Sequence, residues 1–465
     1  MTALPAADVE LLGEYQGSGH VEAPWLVRRA DGRTVSVSRV LYAVLAACDG
    51  RTSHDTIALR VSAEVGRRLT ADQVAHVIDR KLAPLGLLQG CDSRDRRPAF
   101  AAPLLSLWFR VPLMPARWVN GISRALGFLF APALVIVTLV ALVAVDVWLF
   151  GTRGVQEIFG VVLDDPLVLA IVTPLSLLGA CFHELGHATA CRKGGARPGV
   201  IGVGAYLWWF VMFNDLTDTY RLDRRGRLRA DLGGVYFNVV FVVGLFAAYL
   251  ATGYEPLLVV MLFAHADIAA QFWPFVRLDG YYVMSDLTGV PDLFGMVRPV
   301  LRSAVRRGAV DPALAGLRPR VRWVVTAWVV STVLALGSLC VWLAVAGPAL
   351  ARDALAALLR QVDEVGVAFA SGDLADRALA VTELVLLGVP VVGAVLTAGF
   401  LLLAGVRALG DRRVDPRTWS RRAGPALDDD AISWRDWDAV VARHAATGHV
   451  DRRVHLPAGA ATWGQ

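Results

Sequence analysis

The stretch LVLAIVTPLSLLGACFHELGHATA, residues 167–190, decides how this chain is read. It is apolar almost throughout and as long as the ~20 residues a helix needs to cross a bilayer. Near its end stands His183-Glu184-Leu185-Gly186-His187. On a helix, residues four apart share a face, so the two imidazoles can hold one metal ion with a carboxylate set between them. A soluble helix with this motif is amphipathic. Here the motif lies inside a span, so its water chemistry would run within or just beneath the membrane.

The composition agrees with that setting. The 465 residues are 55% hydrophobic and only 19% charged, and the mean hydropathy is +0.51. These values point to a polytopic membrane protein rather than a soluble one. The net charge of +5 is carried mainly by arginine. In such a chain it reports orientation, and no nucleic-acid partner is expected. The five cysteines, at 48, 91, 181, 191 and 340, form no CxxC pair and no even-numbered framework. They read as buried or spare thiols of a chain whose soluble parts stay reduced. Residues 1–19 have neither a basic start nor an apolar core, so no signal peptide is expected.

The expected fold class is mainly α. About six transmembrane helices follow an N-terminal winged-helix-like α+β domain, and a short soluble tail ends the chain. In residues 1–100, Val21–Arg29 and Thr34–Ser38 read as strands about the turn Asp31-Gly32. Helices follow at Ser38–Cys48, Ser53–Glu64 and Thr70–Leu82, with Ser53 and Thr70 as N-caps and Pro84 as a stop. Residues 101–124, with Pro103, Pro112 and Pro115, read as a linker, 125–408 as the membrane domain and 409–465 as a cytoplasmic tail with a helix at Ser433–His444. Apolar runs place spans near 125–149, 166–190, 231–251, 256–276, 323–346 and 380–406. Arginines cluster before the first, between the second and third, between the fourth and fifth, and after the sixth. The positive-inside rule then puts both termini in the cytoplasm of a multi-pass cell-membrane protein. In the connector 347–379, Ala349–Val365 reads as an amphipathic helix on the outer face. Gly199–Phe213 is apolar but too short to span, and reads as a strand or re-entrant hairpin, an interfacial aromatic anchor being the alternative.

A catalytic metal site needs a third protein ligand. The best candidate is Asp279, in Leu278-Asp279-Gly280, at the cytoplasmic end of the fourth span and so level with His183 and His187. A carboxylate at that depth calls for a cation. An ion pair of Asp279 with Arg277 is the competing reading, and Asp215 and Asp218 are the runner-up ligands. His265 and Asp267 fall within the fourth span, where ionisable residues are functional candidates, here as polar support for the site. A hydrogen bond to a neighbouring helix explains His265 and Asp267 equally well. Cys181 and Cys191 stand off the histidine face and read as packing residues.

With these residues in view, the chain resembles the site-2 protease family of intramembrane zinc metalloproteases over about 166–290. That family pairs HExxH on one span with a Leu-Asp-Gly aspartate on a later one. An Asn eight residues earlier, a Pro, and a Gly-Pro-x-x-Asn signature on the intervening span complete its pattern. Here Gln271 stands in place of that Asn, Pro274 is kept, and Gly234-Val235-Tyr236-Phe237-Asn238 keeps the Gly and Asn but has Val235 for the Pro. The resemblance implies Zn2+ held by His183, His187 and Asp279, with Glu184 as the general base that passes its proton to the leaving amine. It further implies that Asn238 and Gln271 orient the substrate backbone or stabilise an oxyanion.

The N-terminal domain has no basic cluster on its third helix, which argues against DNA binding. The order of Val35-Ser36-Val37-Ser38, an apolar helix, Cys48-Asp49-Gly50-Arg51-Thr52, two further helices and Gly86-Leu87-Leu88 is similar to the peptide-chaperone domains called RiPP recognition elements, over about 22–90. Such domains bind the leader of a ribosomally made precursor as an added strand beside the third helix. The combination resembles the membrane metalloproteases encoded with ribosomal peptide natural products, including those of daptide-type clusters. It implies leader removal from a precursor peptide as the function, with the lipid bilayer as the other partner. Regulated cleavage of a transmembrane signalling protein, and a non-catalytic peptide-binding or immunity protein, are the competing readings.

Overall fold

The computed structural model describes residues 4–29, 34–90, 110–164, 168–206, 209–305, 310–371 and 373–411, with side chains left out at some of these. The turn at Asp31-Gly32, residues 91–109 and the tail with its expected helix lie outside them. The described chain is mainly helical and divides into two compact units.

The N-terminal module carries a sheet of three antiparallel strands, Glu10–Glu14 (β1), Trp25–Arg28 (β2) and Thr34–Val37 (β3), in the order β1-β2-β3. Sequence reading expected only the last two. β1 escapes pattern recognition because a register shift between Leu11 and Gly13 breaks the alternation of its side chains. Helices Arg39–Ala47 (α1), His54–Val65 (α2) and Ala71–Val77 (α3) follow, the last continuing through a wider turn at Ile78–Leu82. Ser53 and Thr70 cap as expected: Ser53 accepts from Thr56 N–H, and Thr70 forms a reciprocal box with Gln73. The core beneath the sheet is built from Val27, Val37, Val44, Leu45, Ile57, Val61, Val74 and Leu82.

In the second unit, Arg110–Met114 (β4) is a strand rather than linker, followed by Ala116–Ala125 (α4). The membrane helices begin with Pro132–Trp148 (α5), then Val155–Asp164 (α6) and Leu169–Lys193 (α7). Ile201–Tyr206 (β5) and Trp209–Asn214 (β6) form the hairpin expected between the second and third spans, and β4 pairs with β5 to give the order β4-β5-β6. This pairing satisfies the backbone of an apolar segment too short to cross a bilayer. Next come Arg224–Asp231 (α8), Gly233–Thr252 (α9), Pro256–Gln271 (α10) and Asp279–Thr288 (α11). α9 is the central helix and packs on α5, α7 and α10. Ile136, Val137, Val140, Val143 and Val147 of α5 face outward, each more than 60% exposed, an apolar surface suited to lipid.

Among the described residues five helices are long and apolar enough to cross a membrane, whereas the expected fourth span is the shorter α10, Pro256–Gln271. Proline accounts for the early stop: Pro274 cannot continue a helix, and α10 ends three residues before it. The connector expected at 347–379 is also different. Pro319–Ser371 (α14) is one helix running through Pro348, and Leu374–Asp411 (α15) follows. The Ala- and Leu-rich sequence after Pro348 favours helix strongly enough to carry it on. At 1.5 Å per residue α14 is ~80 Å long, far more than the ~30 Å apolar core of a bilayer.

Between α11 and α14, Val297–Val305 (α12) and Pro312–Ala315 (α13) lead into a segment that packs with the N-terminal module. Val21 N–H donates to Gly316 O at 2.9 Å, and Arg318 N–H donates to Gly19 O at 2.9 Å. Arg298–Arg322 thus belongs to the first unit, a long-range pairing with no local sequence signal.

The turn between α1 and α2 is stapled by Asp49. Its carboxylate accepts from Arg51 N–H at 2.8 Å and from Thr52 N–H at 2.7 Å and hydroxyl at 2.8 Å. The two backbone hydrogen bonds are the largest cause that pulls the Asp49 carboxyl down to about 2. A depressed carboxylate contributes stability that is present above its unfolded pKa of ~3.9 and is lost as pH falls through about 2. Hydrogen exchange of the full-length protein will therefore show the Arg51 and Thr52 amides losing protection as pH drops from ~4 to ~2. In Asp49→Ala that protection is low at every pH, and equal protection in both proteins would refute the staple.

Candidate metal centre

α7 delivers His183 and His187 to its buried face. They meet Asp279, the first residue of α11, whose carboxylate projects from the helix N-terminus. The two Nε2 atoms lie 3.0 Å apart, with Asp279 Oδ2 3.4 Å from His183 Nε2 and Oδ1 3.3 Å from His187 Nε2. All three residues are at most 13% exposed at their side chains. Among the described residues these are the ones gathered closely enough to hold one metal ion.

The donor set fits a cation on its own geometry. Asp279 Oδ2 is buried without a hydrogen-bond partner, and the Nε2 atoms of both histidines lie beside the carboxylate. Nitrogen and oxygen ligands ~2.0–2.1 Å from one tetrahedral ion lie ~3.4 Å from each other, close to the separations found here.

The orientation of His187 is fixed from behind. Its Nδ1 lies 2.7 Å from Ala230 O, and Gly234 N–H approaches the same nitrogen at 3.3 Å. One nitrogen cannot donate to the first and accept from the second. The shorter contact, to a carbonyl that can only accept, makes Nδ1 the donor and leaves the Nε2 lone pair for the site. Ala230 lies in the last turn of α8, and the same helix buries Arg227 almost completely. Arg227 Nε donates to Asp286 Oδ1 at 2.7 Å, and Arg224 Nε donates to Asp286 O at 2.8 Å. α8 therefore holds both His187 and the helix that supplies Asp279. Burial, with Asp286 alongside, pushes the Asp231 carboxyl well above its ordinary range.

Two close helix approaches make room for the cluster. At the crossing of α7 and α9, a Cβ on Gly233 would stand 2.6 Å from Gly186 O. A Cβ on Gly234 would overlap the Nε2 atoms of both histidines. The Asp279 side is braced by aromatic packing: Trp328 Nε1 donates to Pro274 O at 3.0 Å, and Tyr281 stacks on Phe294 at 5.1 Å. Arg277 pairs with Asp292 at 3.6 Å, while Asp279 faces the histidines. Glu184, between the histidines in sequence, is 9% exposed, and no described residue hydrogen-bonds its carboxylate. Its backbone carbonyl accepts from Asn214 Nδ2 at 2.9 Å, which ties the end of β6 to α7.

The remaining residues singled out in the sequence fall into separate places. Asn238 Nδ2 donates to Asp267 Oδ2 at 2.8 Å and Gln271 Nε2 to Asp267 Oδ1 at 3.4 Å, so the three form one polar group. His265 bridges helices, with Nδ1 to Met261 O and Nε2 to Asp146 Oδ1 on α5 at 2.7 and 2.8 Å. Asp218 is taken by Arg197 N–H and Arg221, and Asp215 by Thr217, away from the histidines. Cys181 and Cys191 are free thiols, the latter packed against Ala196, Leu222 and Ala230. Sequence reading missed Asn214, Arg227 and Asp286. Arg227 counted there as one cation of a cytoplasmic loop, and only its almost complete burial sets it apart.

Comparison with protein-family models, with curated proteins and with solved structures finds no match for this chain.

Metal analysis of the purified protein checks the cluster. The wild type will carry about one equivalent, as one three-ligand site demands. Asp279→Ala and Gly234→Ala will each lose most of it, the first by removing a ligand and the second by filling the space between the imidazoles. Full occupancy in Asp279→Ala would reassign the third ligand.

Proposed function

We propose that the chain is a zinc-dependent intramembrane endopeptidase that removes the leader of a ribosomally made precursor peptide taken from the cytoplasm. The observation that carries the reading is Glu184. It stands between two metal-ligand histidines, buried, with no described hydrogen bond to its carboxylate. A structural metal site has no use for such a group, whereas a hydrolase needs a base there. Two imidazoles and a carboxylate suit Zn2+, which when bound would polarise the scissile carbonyl and lower the pKa of a water to ~7. Glu184 takes the proton of the attacking water at a carboxylate oxygen and delivers it to the leaving amine. His187, locked by Ala230 O, keeps its Nε2 lone pair available throughout. Asn214 ties the backbone of the general base to the end of the hairpin.

Two edge strands support a peptide substrate. β6 is an edge strand of its sheet, and its last residue touches the Glu184 backbone. An extended substrate can add to such an edge through main-chain hydrogen bonds. β3 is an edge strand of the N-terminal module, which suits the capture of a leader by the same mode. Capture on the same chain raises the local concentration of the cleavage site to about mM for a linker that reaches. The arginine clusters favour an arrangement with both termini cytoplasmic, so that His183 and His187 open toward the side where the precursor is made.

Co-expression with a candidate precursor, followed by mass spectrometry of the peptide, tests this reading. Glu184→Gln will cut cleavage by at least ~100-fold, the usual share of a general base, while keeping its metal. Equal processing by both proteins would remove Glu184 from the chemistry.

A further inference from the structure

We propose that Asp267 is a subsite for a cationic side chain, lysine or arginine, of the peptide beside the bond that is cut. The inference rests on the peptidase reading for the identity of its ligand. Asp267 lies on α10, a helix without Lys or Arg, next to α9, which also has none. Its carboxylate is exposed and forms no ion pair among the described residues. The basic residue that follows α10 is engaged elsewhere, Arg277 with Asp292 at 3.6 Å and over the rings of Tyr281 and Phe294 at 5.7 Å.

What does hold Asp267 is neutral. Asn238 Nδ2 and Gln271 Nε2 each donate to one of its oxygens. A carboxylate can accept about four hydrogen bonds, so two amides orient it and leave acceptor positions open. They do not balance its charge. An ionised carboxylate on an apolar helix is costly until a cation joins it, and none of the described residues forms an ion pair with it.

The position relates the group to the metal centre. Asn238 follows Gly234 by one helical turn on the same face of α9, and Gly234 lies against both imidazole Nε2 atoms. One turn is ~5.4 Å, the reach of one or two residues of extended chain at ~3.3 Å each. A substrate cation on Asp267 thus sits one or two residues from the bond that Glu184 serves. The amides of Asn238 and Gln271, expected from the sequence to orient the substrate backbone or stabilise an oxyanion, act in this proposal through Asp267 as positioning groups.

The test uses full-length Glu184→Gln protein in detergent and two synthetic hydrophobic peptides that differ only in one central Lys or norleucine. The Lys peptide will bind at least ~10-fold more tightly, as one hydrogen bond between charged groups provides. That advantage will vanish when Asp267→Asn is added and return with Asp267→Glu. Equal affinities for the two peptides, or an advantage indifferent to Asp267→Asn, would overturn the subsite. The same peptides with Lys moved along the chain are then given to protein with Glu184 intact. Cuts that follow the Lys by one or two residues support the proposal, and cuts that ignore it count against it. A Lys advantage in binding without any cleavage would leave the subsite standing and sink the peptidase reading.

Discussion

Two imidazole nitrogens and a carboxylate meet at separations of 3.0–3.4 Å, in a place almost closed to water. Such a meeting is unfavourable by itself, because buried lone pairs without donors lose their solvation and gain nothing. The surrounding structure enforces it. Glycine at 186, 233 and 234 lets α9 approach α7 until backbone rather than side chain faces the imidazoles. α8 locks His187 through Ala230 O and grips α11 through Arg227 and Asp286. The Arg227–Asp286 pair is buried, and truncating one partner of such a pair typically costs ~3–5 kcal/mol. The geometry of the ligands is thus maintained by a network that includes none of them.

The same network explains why a short helix and a hairpin stand where continuous spans would be simpler. α10 stops at Gln271, and the chain between it and Asp279 folds back under Trp328. This turn brings a helix N-terminus, with Asp279 at its tip, to the depth of His183 and His187. On the other side, the hairpin occupies the space beside α7 with strands whose hydrogen bonds are satisfied in one sheet. Irregular backbone at such depth is tolerated where protein covers it or where it lines a wet cavity. Both departures from simple spans flank the cluster of His183, His187 and Asp279.

The cluster was legible in the sequence because its parts are local or punctuated: HExxH repeats at helical spacing, and Leu278-Asp279-Gly280 follows a proline after an apolar run. The caps at Ser53 and Thr70 were legible for the same reason. Three kinds of feature were not. β1 is hidden by its bulge. The extent of α14 is hidden because Pro348 reads as a breaker, although the residues after it favour helix. The supporting shell is hidden because Ala230, Arg227, Asp286 and Asn214 are ordinary residues whose roles exist only through contacts of long sequence separation. Glycine at 234 stood in a motif, but only the overlap of a Cβ with both imidazoles gives the physical reason for it.

In the proposed peptidase the two carboxylates near the histidines have separate tasks, and their settings differ accordingly. Glu184 has its backbone pinned by Asn214 while no described residue hydrogen-bonds its carboxylate, which suits the proposed proton transfer. Asp267 has its carboxylate pinned by two amides and stands exposed, so its oxygens are fixed acceptors. A base must exchange protons with the reacting atoms, and amide bonds to its oxygens would stabilise the charged form and slow that exchange. A recognition group gains from the same bonds, because a fixed acceptor loses less freedom when its ligand arrives. Neighbouring carboxylates set in different hydrogen-bonding environments are the usual means by which one site divides proton transfer from electrostatic binding. In this chain the contrast in setting runs along one turn of α9, from Gly234 against the imidazoles to Asn238 against Asp267.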